Sequence, residues 1–157
     1  MMEPITVVIP GEPQGKARAR FGKSGVYTPA KTVAYEDAIG MLAKASMRGK
    51  EQLSGPLHVD MRAVVKIPRS WSVRKQQAAL LGEIRPTSKP DIDNILKAIA
   101  DGMNGIVYRD DAAIVSANVS KVYGHQCFVA VTIKCVPHRV PETTQIGASN
   151  VGSADRG

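Results

Sequence analysis

Residues 91–104, DIDNILKAIADGMN, with AIVSANVSKV at 113–122 and CFVAVTIKCV at 127–136, decide the fold class. In the first stretch Ile92, Ile95, Leu96, Ile99, Ala100 and Met103 recur at helical spacing and form one continuous apolar stripe. Asp93, Asn94, Lys97, Asp101 and Asn104 make the opposite face, and Asn104-Gly105 ends the helix. The other two stretches read as strands. The turn between them contains Gly124-His125, and an antiparallel hairpin is the natural pairing. Two successive strands after a helix argue for an α+β fold with a mixed or antiparallel sheet, not a doubly wound parallel one.

Upstream, Ile5, Val7 and Ile9 alternate and mark a first strand. Residues 10–28 form a loop rich in Gly and basic side chains, with room for a short strand at 26–27. Thr28-Pro29 is a helix start, Thr28 as N-cap and Pro29 first in the helix, and helical spacing holds to about Met47. Residues 57–67 alternate and read as a half-buried strand that Pro68 ends. Ser70 is placed to cap a short basic helix over 71–81, closed by Gly82. The expected architecture is one domain over 1–136, two main helices packed on the sheet plus the short basic helix. Residues 137–157 are expected to form a polar tail with little fixed structure.

The chain has 157 residues, 43% hydrophobic and 22% charged, which excludes a wholly disordered polymer. No apolar run is long enough to span a membrane. The N-terminal MMEPITVVIPGEPQG lacks the basic region of a secretory signal, so a cytoplasmic location is expected. Aromatics are 4%, so stacking of bases on many aromatic rings is not expected, and Trp71 is assigned to the core. Cys127 and Cys135, on one strand, would stand about 26 Å apart, beyond disulfide reach. Neither has the neighbours of a zinc site, and His58, His125 and His138 are scattered.

The formal net charge is +7, which favours a polyanionic partner, chiefly nucleic acid. The sign reverses locally. Asp91, Asp93, Asp101, Asp110 and Asp111 crowd a stretch whose only cations are Lys97 and Arg109. Asp91 sits at the helix N-cap and Asp93 in its first turn, so both carboxylates can face one site. Lys97 lies one turn below Asp93. If the turn after the helix folds the next strand back to the helix N-terminus, Asp110 and Asp111 join them. Several hard oxygen ligands suit Mg²⁺ or Mn²⁺, with Asp91, Asp93 and Asp111 as ligands and Asp110 as a further candidate. Such a site hydrolyses phosphodiesters, and a nearby lysine steadies the phosphate. A blander account is available. Asp91 and Asp93 would satisfy a helix start, Asp93 and Lys97 would be a surface pair, and Asp110-Asp111 a turn.

In the loop, Lys16, Arg18 and Arg20 alternate with small residues, so extended backbone would aim all three at phosphates, with Lys23 beyond them. Arg74 and Lys75 on the short helix, and Lys89 beside the acidic knot, are further candidate DNA contacts.

The segment KPDIDNILKAIADGMNGIVYRDDAAIV resembles the signature of the RusA-type Holliday junction resolvases, in their phage branch. VVIPGEPQGKARAR, GVYTPAKTVAYE and IPRSWSVRKQ are also similar, so the resemblance covers most of residues 5–122. It implies a homodimeric, Mg²⁺-dependent endonuclease that nicks four-way DNA junctions symmetrically. Asp91, Asp93 and Asp111 match its metal-binding carboxylates, Lys97 its active-site lysine, and Asp110 the neighbouring acidic position. The chain departs from the pattern at Ala113, often Gln, and at Ala19, often Pro. The open alternatives are another metal-dependent nuclease and a non-catalytic DNA-binding protein.

Overall fold

A computed structural model describes residues 2–137, so the expected tail over 138–157 and His138 lie outside the described residues. The elements run β1 (Ile5–Pro10), β2 (Arg20–Gly22), β3 (Gly25–Tyr27), α1 (Ala30–Ser46), β4 (Leu57–Lys66), α2 (Val73–Leu80), α3 (Ile92–Met103), a 3-10 turn (Asp111–Ala113), β5 (Ile114–Gly124) and β6 (Phe128–Cys135). This is an α+β fold with a mixed sheet, as the strand and helix patterns predict.

The four-stranded sheet has the order β1-β6-β4-β5. β6 is antiparallel to both β1 and β4, while β4 and β5 are parallel. The expected β5–β6 hairpin does not form, because β4 lies between the two strands. The apolar alternation of β4 is best buried in the sheet interior, paired on both edges. The chain therefore arches over the end of β4, from Gly124 to Phe128. Gly124 accepts a hydrogen bond from the Ile67 N–H at 3.2 Å, which fastens the arch. A Cβ at position 124 would stand 2.5 Å from Val64 Cγ1, so this crossing requires glycine.

One sheet face carries Ile5, Val7, Ile9, Leu57, Val59, Met61, Val129, Val131 and Ile133 into the core. Two helices cover it: α1 inserts Tyr35, Ile39 and Ala43, and α3 inserts Ile95, Ile99 and Met103. The helices cross at glycines. A Cβ at Gly102 would meet Ile39 Cγ2 at 2.7 Å, and one at Gly40 would lie 3.5 Å from the Gly102 carbonyl.

Three local expectations shift. α1 starts at Ala30 with Pro29 in the N-cap position, one residue later than the Thr-Pro signal implies. Ser72, not Ser70, caps α2, accepting from the Lys75 N–H at 3.3 Å. Trp71 is half-buried outside the core, edge-on to Tyr123 at 5.2 Å, with Lys75 Nζ 3.9 Å above its ring. Both cysteines are free thiols, and only Cys135 lies within β6. No described helix is long and apolar enough to cross a membrane.

Candidate functional site

Asp91 holds extended backbone (φ −69°, ψ 144°) at the start of α3, and its carbonyl accepts the first intrahelical bond from the Ile95 N–H at 3.1 Å. Its carboxylate makes no capping hydrogen bond. The capping account assigns that carboxylate to the helix N–H groups, and here it is left exposed. Asp93 and Lys97 are also exposed, and no ion pair joins them among the described residues.

The loop before β2 folds onto this helix start. The Lys16 N–H donates to the Asn94 carbonyl at 2.9 Å. Gly15 lies so close that a Cβ there would stand 3.0 Å from Asn94 Cβ and 3.3 Å from Pro90 Cβ. The result is a cleft of about 500 Å³ whose walls include Lys16, Arg20, Lys31, Lys89 and Asp91, with Asp91 its only carboxylate among the described residues. From the other side Lys121, a residue no sequence motif flags, donates to the carbonyls of Ser88 at 2.6 Å and Pro90 at 3.0 Å. It ties the segment before α3 to β5.

Lys16 departs from the expected outward row of cations. It turns inward to Glu36 on α1 at 2.5 Å and Asp101 on α3 at 2.8 Å. Hydrogen bonds to Asp101 and then Glu36 raise its pKa above the usual lysine value. Its charge is thus already matched, and Asp101 finds its partner in the loop rather than in Lys97. Arg18, Arg20 and Lys23 remain exposed, as do Arg74, Lys75 and Lys89.

The second acidic cluster lies at the far end of α3. The Asp111 N–H donates to Asn104 Oδ1 at 3.0 Å, and Asn104 is the C-cap of the helix. Asp110 Oδ1 accepts from the Ala112 N–H at 2.9 Å and so shapes the turn. Tyr108 is buried, its hydroxyl donates to the Ala100 carbonyl at 2.8 Å, and its pKa is pushed far up by burial, then by Asp111 and Asp101. The turn therefore stays at the helix C-terminus, so the condition for Asp110 and Asp111 to join Asp91 and Asp93 is not met within one chain. At 1.5 Å per residue, Asp91 and Asn104, which accepts from the Asp111 N–H, stand roughly 20 Å apart along the axis.

Two oxygens that share one Mg²⁺ lie within about 4 Å of each other. Within one chain, then, Asp91, Asp93 and Asp111 have the right donor chemistry, but Asp111 is held at the end of α3 away from Asp91 and Asp93. No three His, Cys, Asp or Glu side chains among the described residues are grouped to hold a metal ion.

The open sheet face carries a further polar network unmarked by any motif. His58 lies 2.6 Å from Ser116 Oγ and 3.1 Å from Asp60, and Lys134 and Asn118 donate to Asp60 at 2.9 and 3.1 Å. Lys134 first, then His58 and Asn118, hold the Asp60 carboxyl well below the usual carboxylate range.

Comparison with known proteins adds two findings. A family model described as endodeoxyribonuclease RusA matches residues 10–134, which include the cleft loop, α3 and the Asp110-Asp111 turn. An uncharacterized protein of Bacillus subtilis (strain 168), YqaN, is 34% identical over 139 residues, covering 85% of this chain and 97% of the relative.

Proposed function

Because the chain belongs to the RusA family of endodeoxyribonucleases, we propose that it is a Mg²⁺-dependent, structure-specific endonuclease that resolves four-way DNA junctions by paired nicks. The observation that carries this reading is the cleft: one uncapped carboxylate, Asp91, among Arg20, Lys31 and Lys89. Such a surface draws a phosphate backbone to a free acidic group.

Arg20, Lys31 and Lys89 bind backbone phosphates flanking the scissile bond, and Arg18, Lys23, Arg74 and Lys75 extend the contact. Lys97, one turn below Asp93, positions the scissile phosphate and offsets its developing charge. Asp91, Asp93 and Asp111 are the carboxylates assigned to Mg²⁺, for which Mn²⁺ can substitute; Asp110 holds the turn beside them. When bound, the ion supplies water activation and charge neutralisation.

One copy keeps these carboxylates at the two ends of α3, so the ligand set calls for two copies. β5 is an edge strand of 11 residues. An exposed edge of that length is a template for pairing. If two β5 edges pair antiparallel about a two-fold axis, the start of one strand meets the end of the other. Asp111 of the partner subunit then approaches the Lys121 end of β5, where Asp91 and Asp93 stand. The C2 dimer carries two equivalent sites, matched to the two-fold character of a junction.

The test is cleavage of a synthetic four-way junction beside linear duplex and single-stranded controls, with and without Mg²⁺. Symmetric paired nicks in the junction alone, only with metal, are expected. Equal cleavage of the controls would make it another metal-dependent nuclease. Junction binding without cleavage would make it a DNA-binding protein.

A further inference from the structure

The loop contains a small hairpin, β2–β3, whose apolar face the proposed chemistry leaves unused. Arg20 pairs with Tyr27, Phe21 with Val26 and Gly22 with Gly25. Alternation puts Phe21 and Val26 on one face, and they are 89% and 63% exposed. Tyr27 lies against Gly22 on the other, where a Cβ would meet its ring at 3.1 Å. Lone exposed apolar residues are ordinary. Here an aromatic and a branched side chain share one bare face on an exposed hairpin, and Arg18, Arg20 and Lys23, within three residues of Phe21 in sequence, are exposed as well. No ion pair engages these three among the described residues. Arg20 also lines the cleft that holds Asp91, so Phe21 stands one residue from the phosphate-binding wall.

Resting on the junction-nuclease reading, we propose that Phe21, backed by Val26, is a wedge that enters the base stack at the branch point of the bound DNA. The cations fix the occupant: a polyanion held by Arg18, Arg20 and Lys23 brings its bases to the apolar face of the same hairpin. Apolar side chains inserted at a base step unstack and kink DNA. A branch point, where stacking is already interrupted, is the step that opens most readily. The wedge selects junctions over duplex and bends the scissile strand toward the Asp91 cleft.

The test compares the full-length parent, Phe21→Ala and Phe21→Trp on a junction with 2-aminopurine at the branch or deep in one arm. The parent and Phe21→Trp should change branch-point fluorescence by about threefold or more without metal, with the arm probe unmoved. Phe21→Ala should lose that signal and cleave the paired junction at least about tenfold more slowly in Mg²⁺. A junction with mismatches at the branch should restore its rate. If Phe21→Ala matches the parent in fluorescence and cleavage, there is no wedge. If Phe21→Ala sediments as a monomer where the parent is a dimer, the face is a subunit contact and the proposal falls. If the parent itself neither opens nor cleaves the junction, the junction reading fails and takes the wedge with it.

Discussion

Asp111 and Asp91 stand at opposite ends of α3: Asp111 is bonded through its N–H to Asn104 at the helix C-cap, and Asp91 occupies the N-cap. The same helix carries Asp93 and Lys97 on its exposed surface. A rod of roughly 20 Å separates acidic groups that a single ion must bring within a few ångströms.

Asp91→Asn should leave folding intact, because the native carboxylate makes no capping bond and Asn serves the N-cap equally well. Cleavage should fall by at least about a hundredfold, roughly 2.7 kcal/mol of transition-state stabilisation. Junction binding without metal should hold or tighten slightly. Thermal melts, gel shifts and cleavage rates on one preparation check all three, and parental cleavage would return Asp91 to a purely structural role.

Changing Arg18, Arg20 and Lys23 together to Ala should weaken junction binding and lower the salt slope by about three at most. Lys16→Met should behave differently. Its charge is matched by Glu36 and Asp101, so the slope should barely change while the melting temperature drops. Affinity measured across a salt series separates the two variants; an equal loss of slope in Lys16→Met would place that lysine on DNA.

The Lys16 contribution has a defined pH dependence. Its folded pKa is raised above the ordinary lysine value of 10.5. The unfolded chain therefore loses its proton first as pH rises, and the stabilisation is complete below 10.5 and lost as pH climbs through the folded value. The melting-temperature gap between parent and Lys16→Met should be constant from neutral pH to about 9.5 and shrink above that. A gap that persists undiminished at the alkaline limit would assign Lys16's role to packing of its stem.

Gly102→Ala sets two effects against each other. Helix propensity favours Ala by about 1 kcal/mol. Against that, the new Cβ would meet Ile39 Cγ2 at 2.7 Å and Ile39 Cβ at 2.8 Å. Overpacking of this kind costs about 1–3 kcal/mol, so net destabilisation is expected on chemical denaturation. A more stable variant would show that α1 and α3 can separate freely.

α3 and the alternating strands were legible because their periods are local and their apolar residues numerous. Ile95, Ile99 and Met103 are buried at the positions the helical stripe implies. Sheet order was not legible. Chain proximity favours a β5–β6 hairpin, while burial of β4 on both edges is a long-range preference that only Gly124 hints at. Only the β3 half of the β2–β3 hairpin is legible, because three-residue exposed strands carry no alternation to read. At the site, the residue types and the helix start came from the sequence. The inward turn of Lys16 and the distance from Asp91 to Asp111 did not: both depend on how α1, α3 and β5 are laid together.

Complementation between two inactive variants tests the two-chain site most directly. Asp91→Asn and Asp111→Asn proteins, each inactive alone, are mixed at equal concentration, allowed to exchange subunits, and assayed for nicking of a four-way junction in Mg²⁺. If each site draws Asp91 from one copy and Asp111 from the other, every mixed dimer has one intact site and one lacking both groups. Nicking should then return to about a quarter of the parental site activity, while paired resolution stays lost. If each site is built within one chain, every site in the mixture lacks a carboxylate, and a mixture as inactive as its components would contradict the account.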